Sequence, residues 1–491
     1  MTLLRSPSLA LLCLLALTLF DCATRAHADP GLPPPVLQAL RDAGVPISAS
    51  GAYVQEVGSA NPSLRHNAGV PMNPASVMKL LTTSAALDLL GPAHTWKTEA
   101  LVASTPADGV LAGDLYLRGS GDPKLTIDAL WLWLREMRAR GLREIRGDIV
   151  LDRSLFELGT PDPGEFDGQP LRAYNVIPDA MLLNFKAQQL TFVPEAQRVA
   201  VLVEPPLAPL DVLSLVKPID GGCDNWRGGL RYDLATHGGR ARLTLTGTYP
   251  TSCGEKTWSL APLDHRDYAD ALVRELWREL GGSIGGRVRD GAVPAAARLF
   301  STHESPPLAD QIRDINKWSN NVMARQLFLT LGAAAGHAPV READGEVAIR
   351  AWLKSRDLSM PELVLDNGSG LSRRERISAE SLGRLLLFAW ASPTMPEFIS
   401  SLPVFGVDGT LKKRGNDNGN NASGRAHLKG GTLDGVRCVA GYVLDRSGRR
   451  HVVVWLVNHA NSGATRAAQD ALVDWVVNRS VYVPSPPSKA D

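Results

Sequence analysis

The chain has 491 residues, of which 44% are hydrophobic and 21% are charged, an ordinary composition for a globular protein of about three domains or one elaborated domain. The 52 basic and 51 acidic residues leave a formal net charge of +1, which excludes a strongly basic nucleic-acid-binding protein and a long acidic tail. The 45 glycines and 34 prolines follow no period, so collagen-like and low-complexity classes are excluded as well.

Residues 1–28 have the pattern of a signal peptide. Arg5 precedes an apolar run at 9–20, and the sequence AHA at 26–28 fits the small-x-small rule for cleavage. The apolar run is short for a membrane span, which disfavours the alternative of an uncleaved anchor. The sequence therefore predicts an exported protein whose mature chain has no transmembrane anchor.

Cleavage at this position leaves three cysteines in the mature chain. Cys223 and Cys253 lie in loop-like surroundings, GGCDNW and TSCGEK, so we expect a disulfide between them after export. Cys438, in VRCVAGY, is expected to be a small buried apolar residue. The sequence contains no CxxC or HExxH motif, so neither a metal site nor a cofactor is expected.

The mature chain begins with short elements of both kinds. PPPVLQALRDAG at 33–44 predicts a helix, and the alternation of apolar and polar residues from Ser50 onwards predicts an edge hairpin. Asn73 and Pro74 are typical of the cap and the first turn of a helix, and Gly91 is expected to end it.

From about 95 to 261 the chain changes to short β-like runs separated by glycine, proline and aspartate, with one helix expected at 128–141. This pattern predicts one inserted β-rich module or two nested ones. Helical periodicity returns at 267–281 and at 308–332. The end of the chain predicts a hairpin followed by a helix.

A serine–lysine pair stands at the start of the helix that Asn73 is expected to cap. A spacing of three places Ser76 and Lys79 on one helical face, and the helix start supplies free backbone N–H groups beside the serine. A serine is a weak nucleophile until a base takes its proton, and a lysine does so only when burial or a nearby cation lowers its pKa. The same spacing recurs at Ser214 and Lys217, but that copy lacks a helix start and is interpreted as chance.

Two further short motifs carry polar groups suited to catalysis. Ser319 and Asn321 lie in the helical stretch 308–332, where a hydroxyl can relay protons and an amide can bind a substrate carbonyl. A polar contact between helices is the alternative. Lys429 opens KGGT at the start of a predicted strand, where its amine can hold a carboxylate and the glycines admit a ligand backbone. A tight turn is the alternative for this segment.

The three motifs occur in an order that resembles the layout of penicillin-recognising serine enzymes. The sequence is similar to the D-Ala-D-Ala carboxypeptidase/endopeptidase family, the class C low-molecular-mass penicillin-binding proteins. The long insertion between the first and second motifs is itself typical of that family. Supporting stretches cover nearly the whole mature chain and include NPASVMKLLT, LYLRGSGDPKLT, WSNNVMARQLF, LDNGSGLSRRERIS and LKGGTLDGVRCVAGYV.

The resemblance implies an α+β fold, with a transpeptidase-like domain in which an antiparallel sheet is flanked by helices. The main domain would comprise 29–94 and 262–491, and β-rich domains, two and nested, would be inserted at 95–261. The implied activity is that of a periplasmic serine D-Ala-D-Ala carboxypeptidase and endopeptidase acting on peptidoglycan stem peptides. β-Lactams would be covalent inhibitors, and no nucleic acid would be a partner.

The resemblance also implies a role for each motif residue. Ser76 would be acylated, with Lys79 as its general base. The other implied roles are a proton relay at Ser319, orientation of the substrate amide by Asn321, carboxylate binding by Lys429, an oxyanion hole from the backbone N–H groups of Ser76 and Thr432, substrate contact by Arg373, and a diaminopimelate contact by Asp167 in the insertion.

One position departs from the family pattern. Gly430 stands where a threonine or serine normally follows the lysine, before Gly431 and Thr432. The missing hydroxyl is expected to bind the carboxylate of the substrate or of a β-lactam, and such a bond to a charged group contributes ~1.5–3 kcal/mol. We expect this loss to slow acylation without abolishing it, with water or Thr432 as a substitute.

Three other interpretations compete with a carboxypeptidase. The GxSxG match at 281–285 follows a helix and precedes a strand, the reverse of an esterase elbow, and is rejected. A peptidoglycan-binding protein of the same fold with little catalysis would explain Gly430 and is kept as the alternative. A β-lactamase is disfavoured by the long insertion and by the lack of an obvious deacylating glutamate.

Overall fold

The computed structural model describes residues 31–414 and 422–479, so the predicted signal peptide lies outside the described residues. In this part of the chain no helix is long and apolar enough to cross a membrane. Its helices, in chain order, are α1 (Pro34–Asp42), α2 (Lys79–Leu90), α3 (Ile127–Ala139), α4 (His265–Glu279), α5 (Leu308–Trp318), α6 (Asn321–Ala334), α7 (Glu342–Ser355), α8 (Ala379–Ala391), α9 (Met395–Ser401) and α10 (Arg466–Val477).

The strands of the same residues form five sheets. In chain order they are β1 (Ser50–Glu56), β2 (Leu64–His66), β3 (Lys97–Val102), β4 (Val110–Leu111), β5 (Leu115–Arg118), β6 (Glu144–Ile145), β7 (Ile149–Asp152), β8 (Gln188–Pro194), β9 (Val199–Glu204), β10 (Leu210–Ser214), β11 (Lys217–Ile219), β12 (Leu230–His237), β13 (Arg240–Pro250), β14 (Lys256–Leu260), β15 (Ser283–Ile284), β16 (Val288–Asp290), β17 (Arg298–Glu304), β18 (Ala426–Leu433), β19 (Val436–Leu444) and β20 (Arg450–Asn458).

The sheet that carries the KGGT motif is antiparallel, in the order β18-β19-β20-β1-β2. Its strand β20 is buried on both faces. Val452 and Val454 pack with the layer that contains α2, α5, α6 and α8, whereas Val453 and Trp455 pack with α1 and α10. Burial on both faces explains the unbroken apolar run VVVWLV, in which alternate residues serve different layers. The predicted antiparallel sheet flanked by helices is confirmed.

A second packed unit is built on the mixed sheet β16-β7-β5-β3-β17, which α3 and α4 cover. The chain enters this unit after Trp96 and leaves it at Ser305. There the backbone N–H of Ser305 donates to the Trp96 carbonyl, and the Trp96 N–H donates to Ser305 Oγ, both at 3.0 Å. Because α4, β16 and β17 pack here rather than on the main sheet, we propose that the insertion extends to about 304, beyond the predicted boundary at 261.

A third unit, formed by 188–260, lies within the second one along the chain. Its sheets are β14-β8-β9 and β10-β13-β11 with β12, and Phe192 and Trp258 lie in the core between them. The disulfide predicted between Cys223 and Cys253 is present, with the Cα atoms 5.0 Å apart. Two separate cores in the insertion support the prediction of two nested domains, which remains our proposal.

Candidate active site

Ser76 lies in a short turn of 3-10 helix, Ala75–Met78, that leads directly into α2. The sequence predicted one α-helix from Pro74 with Asn73 as its cap. Instead, Ala75 has a left-handed backbone with φ of 47°, so the α-helix begins only at Lys79. The Asn73 side chain still serves the turn, because its Oδ1 accepts from the Ala75 N–H at 2.9 Å.

Two glycines allow other segments to approach this turn. A Cβ at Gly370 would lie 1.9 Å from the Ala75 carbonyl oxygen, and one at Gly431 would lie 2.6 Å from the Pro74 oxygen and 3.2 Å from the Ser76 nitrogen. No side chain fits in such a space. Gly431 was expected to admit a ligand backbone, but the backbone that it admits is the protein's own serine turn. This close approach places β18 beside the Ser76 amide.

The Lys79 ammonium meets all the groups that its predicted role requires. Its Nζ lies 3.1 Å from Ser76 Oγ and 2.6 Å from Asn321 Oδ1, and it also donates to the carbonyl of Ser369. The side chain is completely buried, while Ser76 is half-buried and therefore reachable. The first two predicted motifs thus converge on one lysine.

Ser319 lies between two helices rather than inside one. The sequence predicted a single helix over 308–332, but Ser319 has a φ of 58°, which ends α5 and lets α6 begin at Asn321. Asn320 caps α6, with its Oδ1 accepting from the Met323 N–H at 3.1 Å. An asparagine in the middle of a helical pattern was the available sequence signal for this break. The break directs Ser319 towards the third motif.

Lys429 completes the contacts among the three motifs. Its Nζ donates to Ser319 Oγ and to the Gly430 carbonyl, both at 2.8 Å. The amine is as completely buried as that of Lys79. A chain of polar groups therefore links the serine on the turn, the residues at the α5–α6 junction and the edge strand β18.

Burial controls the electrostatics of these two lysines. Burial, reinforced by the nearby Lys429 charge and opposed by Glu375, holds the pKa of Lys79 well below its ordinary value. Burial lowers the pKa of Lys429 to about 7. Removing an amine from water disfavours its charged form, and a second amine nearby disfavours it further. The site thus favours the neutral form of the Lys79 amine, the form in which a lysine can act as a base.

The loop after α7 contributes groups that the sequence did not single out. The Ser369 carbonyl holds Lys79, and the backbone N–H groups of Asn367 and Gly368 donate to Glu375 Oε1 at 3.2 and 3.0 Å. Glu375 is fully buried, its Oε2 has no hydrogen-bond partner among the described residues, and burial raises its pKa to about 7. The run RRER is typical of a solvated surface, so no sequence signal marked this glutamate as internal.

Arg373 and Asp167 lie on neighbouring loops at one side of the site. The Arg373 guanidinium lies 4.9 Å from the centre of the Phe166 ring, and its Nη1 donates to the Asp434 carbonyl at 2.8 Å. Asp167 accepts from the Tyr174 hydroxyl at 2.7 Å. We call the cavity of about 320 Å³ next to Phe166 and Arg373 the arginine groove. The insertion therefore forms one wall of a groove whose other wall includes the loop 366–374, and that loop packs against the turn that carries Ser76.

Two motif matches that were interpreted as chance show no catalytic geometry. Ser214 Oγ donates to the Val199 carbonyl at 2.8 Å, and the exposed Lys217 does not contact it in the described residues. Ser283 lies on the two-residue strand β15, after α4, which is not the strand–turn–helix of an esterase elbow. Cys438 is buried and unpaired, as expected.

The fold, and the contact of a half-buried serine with a buried lysine, are typical of a serine hydrolase. The model of the D-Ala-D-Ala carboxypeptidase 3 (S13) family matches residues 35–479, so the chain belongs to this family. The predicted class, a serine-type D-Ala-D-Ala carboxypeptidase of the penicillin-binding protein type, is thereby confirmed.

Curated relatives extend over most of the chain. The chain is 29% identical over 445 residues to D-alanyl-D-alanine carboxypeptidase of Actinomadura sp. (strain R39), which covers 88% of this chain and 82% of that protein. It is 26% identical over 400 residues to D-alanyl-D-alanine carboxypeptidase DacB of Haemophilus influenzae, covering 81% and 83%.

Solved structures support the fold. The crystal structure of penicillin binding protein 4 (dacB) from Haemophilus influenzae superposes with a TM-score of 0.74 at 24% identity, covering 89% of this chain and 99% of that one. A penicillin G-acylated predatory endopeptidase from Bdellovibrio bacteriovorus gives a TM-score of 0.53 at 14% identity, covering 87% and 92%. The predicted α+β fold is therefore confirmed.

Proposed function

We propose that the protein cleaves the D-Ala-D-Ala bond of peptidoglycan stem peptides through an acyl-serine on Ser76. The observation that carries this proposal is the contact of a completely buried lysine with a half-buried serine, Lys79 Nζ to Ser76 Oγ at 3.1 Å. A serine hydroxyl at this distance from a neutral amine can lose its proton as it attacks a carbonyl. The family assignment supplies the substrate class.

In the proposed reaction, Ser76 Oγ attacks the carbonyl of the penultimate D-Ala while Lys79 takes the hydroxyl proton. The bond to the terminal D-Ala breaks as its nitrogen receives the proton that Lys79 took, relayed by the Ser319 hydroxyl, which Lys429 contacts at 2.8 Å. Water then attacks the ester while Lys79 takes a proton from it, and Lys79 returns that proton to Ser76 Oγ as the shortened stem leaves. The backbone N–H groups of Ser76 and Thr432 stabilise the oxyanion of each tetrahedral intermediate, and in comparable enzymes losing one such donor costs roughly 3 kcal/mol.

The remaining site residues position the substrate in this proposal. Asn321, whose Oδ1 already accepts from Lys79, orients the substrate amide, and Lys429 attracts the terminal carboxylate. Asp167 lies on a loop of the insertion and Arg373 on the neighbouring loop of the main domain, and the side chain of a diaminopimelate residue can lie against them.

The same chemistry gives endopeptidase action when the leaving amine belongs to a cross-linked diaminopimelate. The open groove beside Arg373 supports this extension, because a cross-linked substrate needs room beyond the terminal residue. A β-lactam places its strained amide at the same carbonyl position and leaves Ser76 acylated. We place the mature protein in the periplasm, on the basis of the signal-like segment 1–28 and of its cell-wall substrate.

A labelled-penicillin gel tests the proposal. The intact protein should show a covalent band, Ser76→Ala should lose it, and the matched control Ser214→Ala should keep it because that serine bonds the Val199 carbonyl. Mass spectrometry of purified muropeptides then shows whether D-Ala or a cross-link is released. A folded wild-type protein that takes up no label and releases no D-Ala would favour the alternative, a peptidoglycan-binding protein with little catalysis.

A further inference from the structure

A cavity of about 920 Å³ lies next to the arginine groove and is not used by the proposed reaction. The cavity and the groove share Pro161, Pro163 and Ile177 as lining residues, so the two spaces adjoin across one segment of the insertion. We call it the Lys186 cavity. A peptidoglycan strand is far larger than the dipeptide at its cleaved end, so a substrate bound in the groove can extend into this space.

Lys186 in the wall of this cavity has no polar partner. Only 8% of the residue is exposed, and within the described residues its ammonium makes neither a hydrogen bond nor a salt bridge. Buried lysines are rare unless they are paired, because an ammonium without a partner loses its hydration and gains no hydrogen bond or ion pair in exchange. Burial accordingly lowers the pKa of Lys186, against the opposing charges of Asp264 and Asp179.

The backbone holds this lysine in place at a conformational cost. Asn184, Phe185 and Lys186 have φ angles of 45°, 55° and 50°, three consecutive left-handed residues of which none is glycine. Such a run is disfavoured for residues that carry a Cβ. Asn184 tolerates it best and anchors the turn, since its Oδ1 accepts from the Ile127 N–H and its Nδ2 contacts the Tyr268 hydroxyl.

The acidic side chains around the cavity already have donors of their own. Asp179 and Asp290 both bind Arg153, and Asp264 caps α4 by accepting from the Asp267 N–H at 2.7 Å. Asp152 accepts from the N–H groups of Ser154 and Val293, and Glu157 accepts from Arg341.

At the rim of the cavity, Arg266 has one acidic neighbour, Asp267, and that carboxylate is 3.7 Å away. The side chain of Arg266 is more than half exposed and is free to turn towards a ligand. The Lys186 amine, the Arg266 guanidinium and the buried Nε2 of His265, which has no hydrogen-bond partner in the described residues, are thus groups around this space that lack a close acceptor. A carboxylate supplies acceptors to the two cationic groups.

We propose that the Lys186 cavity binds a carboxylate of the peptidoglycan stem peptide other than the terminal one. The inference rests on the proposed function for the identity of the substrate. The carboxylate would accept from Lys186 at the cavity wall and from Arg266 at its rim, while the scissile bond lies at Ser76. The insertion would then select stems by the charge on their inner residues.

The test compares two probes on the full chain in a Ser76→Ala background, where no turnover occurs. One probe is a disaccharide pentapeptide with free internal carboxylates, and the other is the same molecule with those carboxylates amidated. Calorimetry should show about tenfold weaker binding of the free probe to Lys186→Met, the typical effect of losing a charge-assisted hydrogen bond. The amidated probe should bind both proteins equally.

Three further variants keep the result interpretable. Lys217→Met removes an exposed lysine of the third unit and should leave the binding of both probes unchanged. Lys186→Gln keeps a hydrogen-bond donor at this position and replaces Lys186→Met if thermal melts show that the methionine variant is unstable. Its affinity for the free probe should fall less than that of Lys186→Met. Arg266→Ala should weaken the free probe to a smaller extent, because an exposed group gains less from pairing.

Equal affinity of the wild-type site for the free and the amidated probe would overturn the inference, as would a loss on Lys186→Met that is the same for both. Labelled penicillin and a short acyl-D-Ala-D-Ala peptide without internal carboxylates, used with Ser76 intact, report on the proposed reaction alone. Their failure would refute the proposed function, whereas normal turnover with no discrimination between the large probes would refute only the role of the cavity.

Discussion

Gly430→Thr would restore the hydroxyl that the third motif lacks, and the structure shows that there is room for it. A Cβ at Gly430 would lie 3.6 Å from Leu411 Cδ2, an ordinary contact, with no other heavy atom nearby. Because side chains alternate along a strand, position 430 shares a face of β18 with Thr432 and not with Lys429. The new side chain would therefore lie on the same face of β18 as the Thr432 side chain, beside Leu411.

The size of the effect follows from the bond that is restored. A hydrogen bond to a charged group contributes ~1.5–3 kcal/mol, and ordering the new side chain in a half-open position takes back part of that. The lower end corresponds to a rate increase of about tenfold, since 1.36 kcal/mol equals one factor of ten. A threonine also suits an edge strand better than glycine does, so the variant should fold at least as well.

Stopped-flow acylation by a fluorescent penicillin measures this rate, with thermal melts as a check on folding. The same substitution one residue further along is the matched control. A Cβ at Gly431 would meet the Pro74 oxygen at 2.6 Å, so Gly431→Thr should displace the serine turn and slow acylation. An unchanged or slower rate in a well-folded Gly430→Thr protein would refute the reasoning that the absent hydroxyl limits this enzyme.

Four further outcomes are expected. Acylation should persist well below pH 10.5 and fall only when the pH drops to the lowered pKa of Lys79, because the neutral amine is the base; a pH–rate profile measures this. Glu375→Gln should move this fall in the acylation rate to lower pH, because the Glu375 carboxylate raises the pKa of Lys79 and the variant lacks it. If Glu375 had a purely structural role, the rate would fall equally at every pH. Lys429→Met should abolish efficient acylation yet raise the melting temperature below pH 10. The folded-state pKa of Lys429, about 7, lies below its ordinary value of 10.5, so between these values unfolding takes up a proton and the stability of the wild-type protein rises with pH. The variant should lack this pH dependence. Replacing both Cys223 and Cys253 by serine should destabilise the third unit by about 3.6 kcal/mol, as expected for a sequence separation of 30, without altering penicillin acylation. Differential calorimetry measures the first effect and the gel assay the second.

The five residues that the structure brings together at the candidate site could be predicted from the sequence because their motifs are short and local. Ser76 and Lys79 are three residues apart, and a helical turn brings that spacing together wherever it occurs. The order of the three motifs, with a long insertion between the first two, then indicated the family and with it the remaining site residues. The alternation of buried residues in β20 likewise marks a strand that is covered on both faces, and the antiparallel sheet follows from it.

Long-range packing decided what local patterns could not. The periodicity of 308–332 continues across Ser319, and only the contacts of the folded chain require the left-handed residue that separates α5 from α6. The boundary that we propose for the insertion differs from the predicted one for the same reason, because α4 has the pattern of any amphipathic helix until the β-sheet that it packs against is known.

The sequence by itself determined which groups are proposed for the chemistry, since residue type and spacing identify a candidate nucleophile and its candidate base. The tertiary structure alone decided their protonation, because the pKa of Lys79 depends on burial by segments as distant in sequence as Asn321 and Ser369. It alone also placed Glu375 and Lys186 in the interior. Burial is a property of the whole fold, and a charged residue in the sequence carries no mark of whether water will reach it.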